Sequence, residues 1–299
     1  MRLVSYNIQY GVGKDGKLDL ARAIGAIAGA DIVALQEVER NWPKSGMADQ
    51  PAEIQRLMPD YYGVYGPFFD VDASRRAADG RVENRRRQHG IMILSRWPIR
   101  SSRLFPLPKL DNVTGLGFQM GMLEGVVDVP GRPLRVYAVH LSSLASEERL
   151  LQAEELMRLW RRTPAEGPTW SGENMLSGVD WSSGEEQPPS PVDAVMLGDF
   201  NTRPGTPEYR VLVGDQPAGR DGIHFRMRLS DSWHLAGDGG AGVTFPASPA
   251  YPAERLGADG IRIDYGFVSG GLARRVTRAW VDVGAQGSDH QPYWIELAD

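Results

Sequence analysis

The sequence predicts an α/β fold in which two packed mixed β-sheets carry helices on their outer faces. Three observations predict it. Short apolar runs such as Ile32-Val33-Ala34-Leu35 and Val195-Met196-Leu197 read as strands covered on both faces. Helical periodicities fall between some of these runs. The strand-rich halves, 3–141 and 195–297, share a similar rhythm without any internal sequence period.

With 299 residues, 41% of them hydrophobic, the chain can bury a large core, and it reads as a single domain over 1–299 with insertions at about 70–88 and 163–191. The absence of cysteine excludes disulfides, thiolate metal sites and cysteine nucleophiles. A formal net charge of −5 argues against non-specific duplex binding, which needs a basic footprint. No apolar run is long enough to span a membrane, and no charged, then apolar leader precedes the first strand. The expected location is cytoplasmic, or secreted or periplasmic where a signal peptide has been removed. No obligatory protein partner is evident.

In chain order, Leu3 to Gln9 is a short strand with Asn7 near its end, and Leu18 to Ala28 repeats apolar residues at helical spacing. Asp31 to Val38 is a buried strand ending in a carboxylate, Glu37, where sheet enzymes place catalytic groups. Pro51 to Met58 forms a helix with proline in its first turn. Tyr61 to Phe69 is strand-like. The charged stretch Asp70 to Gln88 reads as a long hairpin connection with a mobile, solvated middle, whose arginines 85, 86 and 87 can overhang the active face and meet an anion.

His89 to Ser95 is a buried strand, Leu104 to Leu107 an edge segment, and Phe118 to Val129 a partly exposed strand. Leu134 to Leu141 pairs back across the Pro130-Gly131-Arg132-Pro133 turn and carries His140 at its end. Ser146 to Arg162 is a helix with Ser146 as its cap. Thr163 to Pro191, rich in Pro, Gly and Ser but holding Trp170 and Trp181, reads as a lid or rim of the substrate site or as a disordered insertion; the tryptophans favour order. Thr206 caps a short helix, Ile261 to Val268 is a central strand containing Asp264, and Arg274 to Val281 and Tyr293 to Leu297 are the last strands.

The stretch from Val195 to Thr202 organises the chemistry. A strand ends in a glycine turn that sets Asp199 and Asn201 on one side and Phe200 on the other, which also describes an ordinary Asx turn. Asp264 lies in an otherwise apolar strand and needs a buried partner; His290, beside Asp289 after a small-residue turn, is the most economical one. His89, His224 and His234 read as structural.

Seven segments in order then carry a resemblance: Ser-Tyr-Asn-Ile-Gln (5–9), Leu-Gln-Glu-Val (35–38), Gly-Ile-Met-Ile-Leu-Ser-Arg (90–96), Val-His-Leu (139–141), Gly-Asp-Phe-Asn (198–201), Ile-Asp-Tyr (263–265) and Ser-Asp-His (288–290). Together they resemble the endonuclease/exonuclease/phosphatase superfamily, across essentially the whole chain apart from 70–88 and 163–191. The resemblance implies a four-layered α/β sandwich that hydrolyses phosphate esters with a divalent metal, Mg²⁺ or Mn²⁺. It implies Glu37 as the principal metal ligand, Asn7 beside it on the metal or a metal water, and Asp289 approaching from the opposite side. It also implies Asp199 and Asn201 orienting the attacking water and the phosphate, His140 as a second active-site histidine, and Asp264 with His290 as a carboxylate–imidazole dyad.

Two departures stand out. Gln119 occupies a position where many members carry arginine, and no carboxylate to support His140 is evident. The acidic charge, and the tryptophan-containing insertion as a wall at one end of the cleft, favour a small-molecule or lipid-headgroup phosphodiester or phosphomonoester as substrate. A DNA or RNA nuclease is the alternative, and a non-catalytic binding module on the same scaffold a third.

Overall fold

The computed structural model describes residues 1–175, 178–215 and 217–298. Along the chain the strands are β1 (Arg2–Asn7), β2 (Ile32–Arg40), β3 (Tyr62–Asp72), β4 (Arg75–Arg76), β5 (Val82–Glu83), β6 (Arg86–Ser95), β7 (Ile99–Pro106), β8 (Gly121–Val127) and β9 (Leu134–His140). After them come β10 (Ala194–Asp199), β11 (Leu229–Asp231), β12 (Phe245–Pro246), β13 (Gly260–Ile261), β14 (Asp264–Ser269), β15 (Val276–Val281) and β16 (Tyr293–Leu297). The helices are α1 (Leu20–Gly25), α2 (Gln50–Leu57), α3 (Ser146–Glu166), α4 (Pro207–Val213), α5 (Ser232–Ala236) and α6 (Ala253–Leu256).

Two six-stranded mixed sheets, ordered β15-β16-β1-β2-β6-β3 and β11-β14-β10-β9-β8-β7, pack face to face. Their inner faces meet in one apolar layer, where Leu3, Ile32, Ala34, Ile91 and Ile93 face Leu123, Val136, Ala138, Val195 and Leu197. The residues between them in each strand point outward, as the two-residue strand period requires. Val4, Val33, Leu35 and Met92 therefore meet α1 and α2, and Tyr137, Val139, Met196 and Phe267 meet α3 and α4. Helix, sheet, sheet and helix make the four layers expected.

Several local expectations change. The first helix stops at Gly25, and Asp19 caps it through the Arg22 N–H. The segment around Phe118 is not a strand; β8 begins at Gly121 and is buried throughout, because β7 and β9 flank it, the first sheet covers one face and α3 the other. The edge strand is longer than expected, Ile99–Pro106. The 70–88 stretch is a hairpin, but its middle is paired rather than a mobile loop: β3 and β6 run on past the sheet, and β4 and β5 continue the ladder beyond them. Ser146 does not cap α3; its hydroxyl donates to Glu208 at 2.5 Å.

The largest correction concerns 163–191. Helix α3 starts beside the end of β9 and, at about 1.5 Å per residue, carries the chain some 30 Å away. The chain after it is fastened at the far end of the second sheet, where Arg135 at the start of β9 donates to the Pro191 carbonyl at 3.0 Å and to Ser190 Oγ at 3.1 Å. Arg100, at the start of β7, pairs with Glu186 at 3.8 Å. The insertion is thus neither lid nor rim of the cleft described below; residues 176 and 177 of it lie outside the described residues.

Candidate active site

One end of the sandwich collects the polar strand termini. Asn7 ends β1, His140 ends β9, Asp199 ends β10 and Asp264 begins β14. Asp199 sits in register between His140 on one neighbouring strand and Asp264 on the other. Gly198, just before it, lies so close to β9 that a Cβ there would stand 2.1 Å from the Val139 carbonyl oxygen.

Glu37 reaches the cleft through a backbone irregularity. The β2–β6 register slips between Gln36 and Val38, and Glu37 takes a left-handed φ of 59°. This is a β-bulge, which re-aims one side chain at the cost of local strain. Asn201 is left-handed as well, at φ 49°. Its N–H donates to Asp199 Oδ1 at 2.9 Å and its Nδ2 to the Leu141 carbonyl at 2.9 Å, while Phe200 turns away to pack on Tyr265 and Phe267.

Asn7 ties the two sheets together. Its Nδ2 donates to Glu37 Oε1 and to Asp199 Oδ2, each at 3.1 Å. Its Oδ1 accepts the Gln9 N–H at 3.0 Å. As arranged, the Asn7 amide nitrogen bridges two carboxylates, while its oxygen accepts one N–H and keeps its second lone pair.

His290 Nδ1 donates to Asp264 Oδ2 at 2.8 Å, and its Nε2 faces Asp199 Oδ2 at 3.7 Å. The loop carrying it is stitched to β1, since Ser288 Oγ donates to the Asn7 carbonyl at 2.7 Å and accepts the His290 N–H at 3.2 Å. Thr244 holds the other side: its Oγ1 accepts the Asp264 N–H at 3.0 Å and its carbonyl the Gln291 N–H at 2.7 Å. The Phe245 ring, 4.8 Å away, covers the imidazole. Sequence reasoning missed Ser288 and Thr244 as fasteners, because nothing in a lone hydroxyl residue marks its backbone partners.

These contacts set the protonation of the site. Burial disfavours the His290 imidazolium, but the charges of Asp264 and Asp199 and the bond to Asp264 outweigh it and raise the group to about 10. Burial and the nearby Asp264 push the Asp199 carboxyl up to about 7 against the pull of His290. Burial drives the His140 imidazole down to about 4. Burial alone would raise Glu37, yet His89, His140 and the Asn7 amide hold it below its usual value. Asp289 is raised by burial and by the Glu37 charge.

Of the eight residues singled out in the sequence, the structure gathers all at this end of the sandwich. His140 Nε2 lies 3.5 Å from Asp199 Oδ2, and its buried Nδ1 has no partner among the described residues, so the missing supporting carboxylate is a property of the molecule. Gln119, in the place of the absent arginine, bonds the Leu107 and Met120 carbonyls at 2.6 and 2.8 Å and takes a purely structural role.

His89 is a hydrogen-bonded histidine, as the structural reading has it, and it also borders the cleft. It is buried inside this end of the cleft, its ring centroid 6.4 Å from that of His140, with Nδ1 on Glu39 Oε1 at 3.0 Å. Its burial follows from β6 running in the middle of a sheet, which the sequence showed; its partner Glu39 depends on the register beyond the bulge, which it did not. Among the described residues, the ligand atoms of Asp199, Asp264 and His290 lie within 4.8 Å of one another. The Asp264–His290 hydrogen bond already occupies two of these atoms, so this cluster is a hydrogen-bonded dyad beside a carboxylate.

The sequence matches the model of the Endonuclease/Exonuclease/phosphatase family over residues 4–290. The chain belongs to this family. Among solved structures, the family's fold recurs in an endonuclease/exonuclease/phosphatase from Beutenbergia cavernae, 26% identical, covering 100% of this chain and 72% of that one at a TM-score of 0.64. A mannosyl-6-phosphatase of Bacteroides thetaiotaomicron is 17% identical, with 100% of both chains covered and a TM-score of 0.59. A 3'-5' exonuclease from Neisseria meningitidis is 18% identical over 100% of both chains, also at 0.59. No curated protein matches the sequence. Family membership accounts for the order in which the polar strand ends occur, and among the described residues no helix is long and apolar enough to cross a membrane.

Proposed function

We propose that this family member is a divalent-metal-dependent phosphoesterase acting on a small phosphate ester. The observation that carries the reading is the convergence of Glu37, Asp199 and the Asp264–His290 pair on one cleft, braced by the Asn7 amide. Glu37 and Asp289 are half-buried carboxylates that sense each other's charge, and no Lys or Arg pairs with either among the described residues. Such a pair fits a hard divalent cation with oxygen ligands, and Mg²⁺ or Mn²⁺ suits it. When bound, the ion supplies charge neutralisation at the phosphoryl and leaving oxygens.

The chain's own residues supply the rest. Asp264 keeps His290 protonated, so the imidazolium donates to a phosphoryl oxygen as negative charge builds there. Asp199, raised toward neutrality, accepts the proton of the attacking water. Asn7 keeps that carboxylate at a fixed distance from Glu37. Asn201 and the neutral His140 hold the remaining oxygens, and Phe245 keeps bulk water from the dyad.

The small-ester reading, over a nuclease, rests on charge. The basic hairpin pairs Arg81 with Asp79 at 2.6 Å and Arg86 with Asp70 at 2.7 Å, while Arg87 lies over the Trp42 ring. A positive track several phosphates long is what strand binding needs. The deciding experiment is hydrolysis with Mg²⁺ and Mn²⁺ of supercoiled plasmid, abasic duplex, RNA, nitrophenyl phosphates, sphingomyelin, inositol phosphates and sugar phosphates, with Glu37→Gln and His290→Ala as controls. Turnover of small esters that both controls lose supports the reading. Plasmid nicking lost in both controls overturns it in favour of a nuclease.

A further inference from the structure

The cleft is laid out one strand at a time. Across the first sheet, the residues at its upper edge run from His290 before β16 to Asn7 on β1, Glu37 on β2, His89 on β6 and Phe69 on β3. The second sheet runs alongside in the same direction, with Asp264 on β14, Asp199 on β10, His140 on β9 and Phe118 just before β8. The contacts between the rows keep this pairing: Asn7 bonds Asp199, His89 lies beside His140, and His89 stacks on Phe118 at 6.1 Å and 19°. The first steps are polar and hold the groups that would attack a phosphoryl centre. The last steps are aromatic.

That aromatic end is built and braced. Trp42 packs on Phe69 at 5.5 Å, and Phe69 meets Phe118 edge-on at 5.4 Å. The Trp42 indole N–H is pinned to the Gln88 carbonyl at 2.8 Å. All three rings are partly exposed. His89 is fixed by fully buried Glu39, which Lys44 also pairs at 3.0 Å, and its Nε2 has no partner among the described residues. Three rings and an oriented imidazole with one open nitrogen make a wall for something flat, with a polar contact at its near edge.

In an in-line displacement the leaving group departs on the side opposite the attacking water. With His290 and Asp199 at one end of the row, the opposite side is the wall. We propose that Phe118, Phe69, Trp42 and His89 form the leaving-group subsite, and that the substrate is a phosphate ester whose leaving alcohol carries a ring with a flat apolar face. This rests on the phosphoesterase reading and adds to it the class of ester. A sugar ring or an aryl ring presents such a face, and separate arms of the test tell them apart.

The experiment compares kcat/KM for a hexose 6-phosphate, phenyl phosphate and acyclic glycerol 3-phosphate in the wild type, in Phe118→Ala and in Phe118→Leu, which keeps the volume and removes the flat face. The wild type is expected to favour at least one ring ester over the acyclic one by ~10-fold or more, and both variants to lose that ratio, chiefly through KM. Preference for hexose alone assigns a sugar, and for phenyl alone an aryl group. Equal rates on all three esters, or a ratio that neither variant moves, overturn the subsite and leave the phosphoesterase reading intact. Lack of turnover of any ester, here and across the wider panel, counts against that reading. Saturation-transfer NMR then decides the subsite: ring protons saturated in His290→Ala but not in His290→Ala/Phe118→Leu support it, and equal saturation overturns it.

Discussion

His290 Nδ1 lies 2.8 Å from Asp264 Oδ2, and the second oxygen of that carboxylate has no partner among the described residues. The full carboxylate charge is therefore directed at one imidazole. Replacing Asp264 by Asn keeps the shape and removes the charge. A fall in kcat of ~10²–10⁴ is expected. The imidazolium would also deprotonate earlier, so the alkaline limb of the pH–rate profile should move to lower pH. A profile whose alkaline limb stays in place would count against a protonated His290 as the working form.

Activity in the wild type should rise with pH through about 7 as Asp199 ionises, and fall only well above neutrality as His290 loses its proton. Kinetics across that range at fixed ionic strength checks both limbs.

The Glu37 charge raises Asp289, and neither carboxylate pairs with Lys or Arg among the described residues. Divalent cation should therefore raise the melting temperature, by mass action on the folded state alone. In Glu37→Gln the apo protein should melt at or below the wild-type temperature, because the fold holds this carboxylate below its usual value, and the shift on adding Mn²⁺ should shrink or vanish. Differential scanning fluorimetry with and without chelator reads both.

His140 makes stability depend on acid. Its imidazole is buried and held down to about 4 from an ordinary 6.5, so its neutral form stabilises the fold above 6.5 and that contribution drains away as pH falls toward 4. Relative to His140→Gln, the metal-free wild type should lose on the order of 3 kcal/mol across this interval. Urea titrations of both proteins at pH 7 and pH 4 test the difference, and parallel losses in the two would refute it.

The far-end insertion should be indifferent to catalysis. Trp181 is 85% exposed, and its stretch is anchored where β9 begins, away from His140. Trp170→Ala and Trp181→Ala should each leave kcat/KM within about twofold of the wild type, as ordinary surface changes do. A loss of tenfold would return this stretch to the substrate site.

Much of this molecule could be read before folding. Buried strands announced themselves by apolar runs, and polar residues at their ends marked one working face, so Asp199, Asp264 and His290 were legible from composition against context. Three things were not. The direction in which α3 leaves the cleft is a tertiary fact, and it moved the tryptophan stretch from the mouth to the opposite end. The Glu39–His89 pair depends on a register that the Glu37 bulge resets, so counting along either strand could not join them. The turn of the Asn7 carboxamide, which sets its nitrogen between Glu37 and Asp199, is decided by side chains of two other strands.

The strand-by-strand layout of the cleft has a further consequence. Neighbouring strands stand about 4.8 Å apart, so the sandwich edge is a ruler whose graduations are set by backbone hydrogen bonds. The first marks are fixed by chemistry and leave little room for change. The last mark on each sheet is an edge strand, β3 or β7, with a hairpin or loop beside it. Evolution can lengthen, shorten or refit those outer graduations without disturbing the inner ones, and a catalytic scale of constant zero can thereby come to measure alcohols of different size.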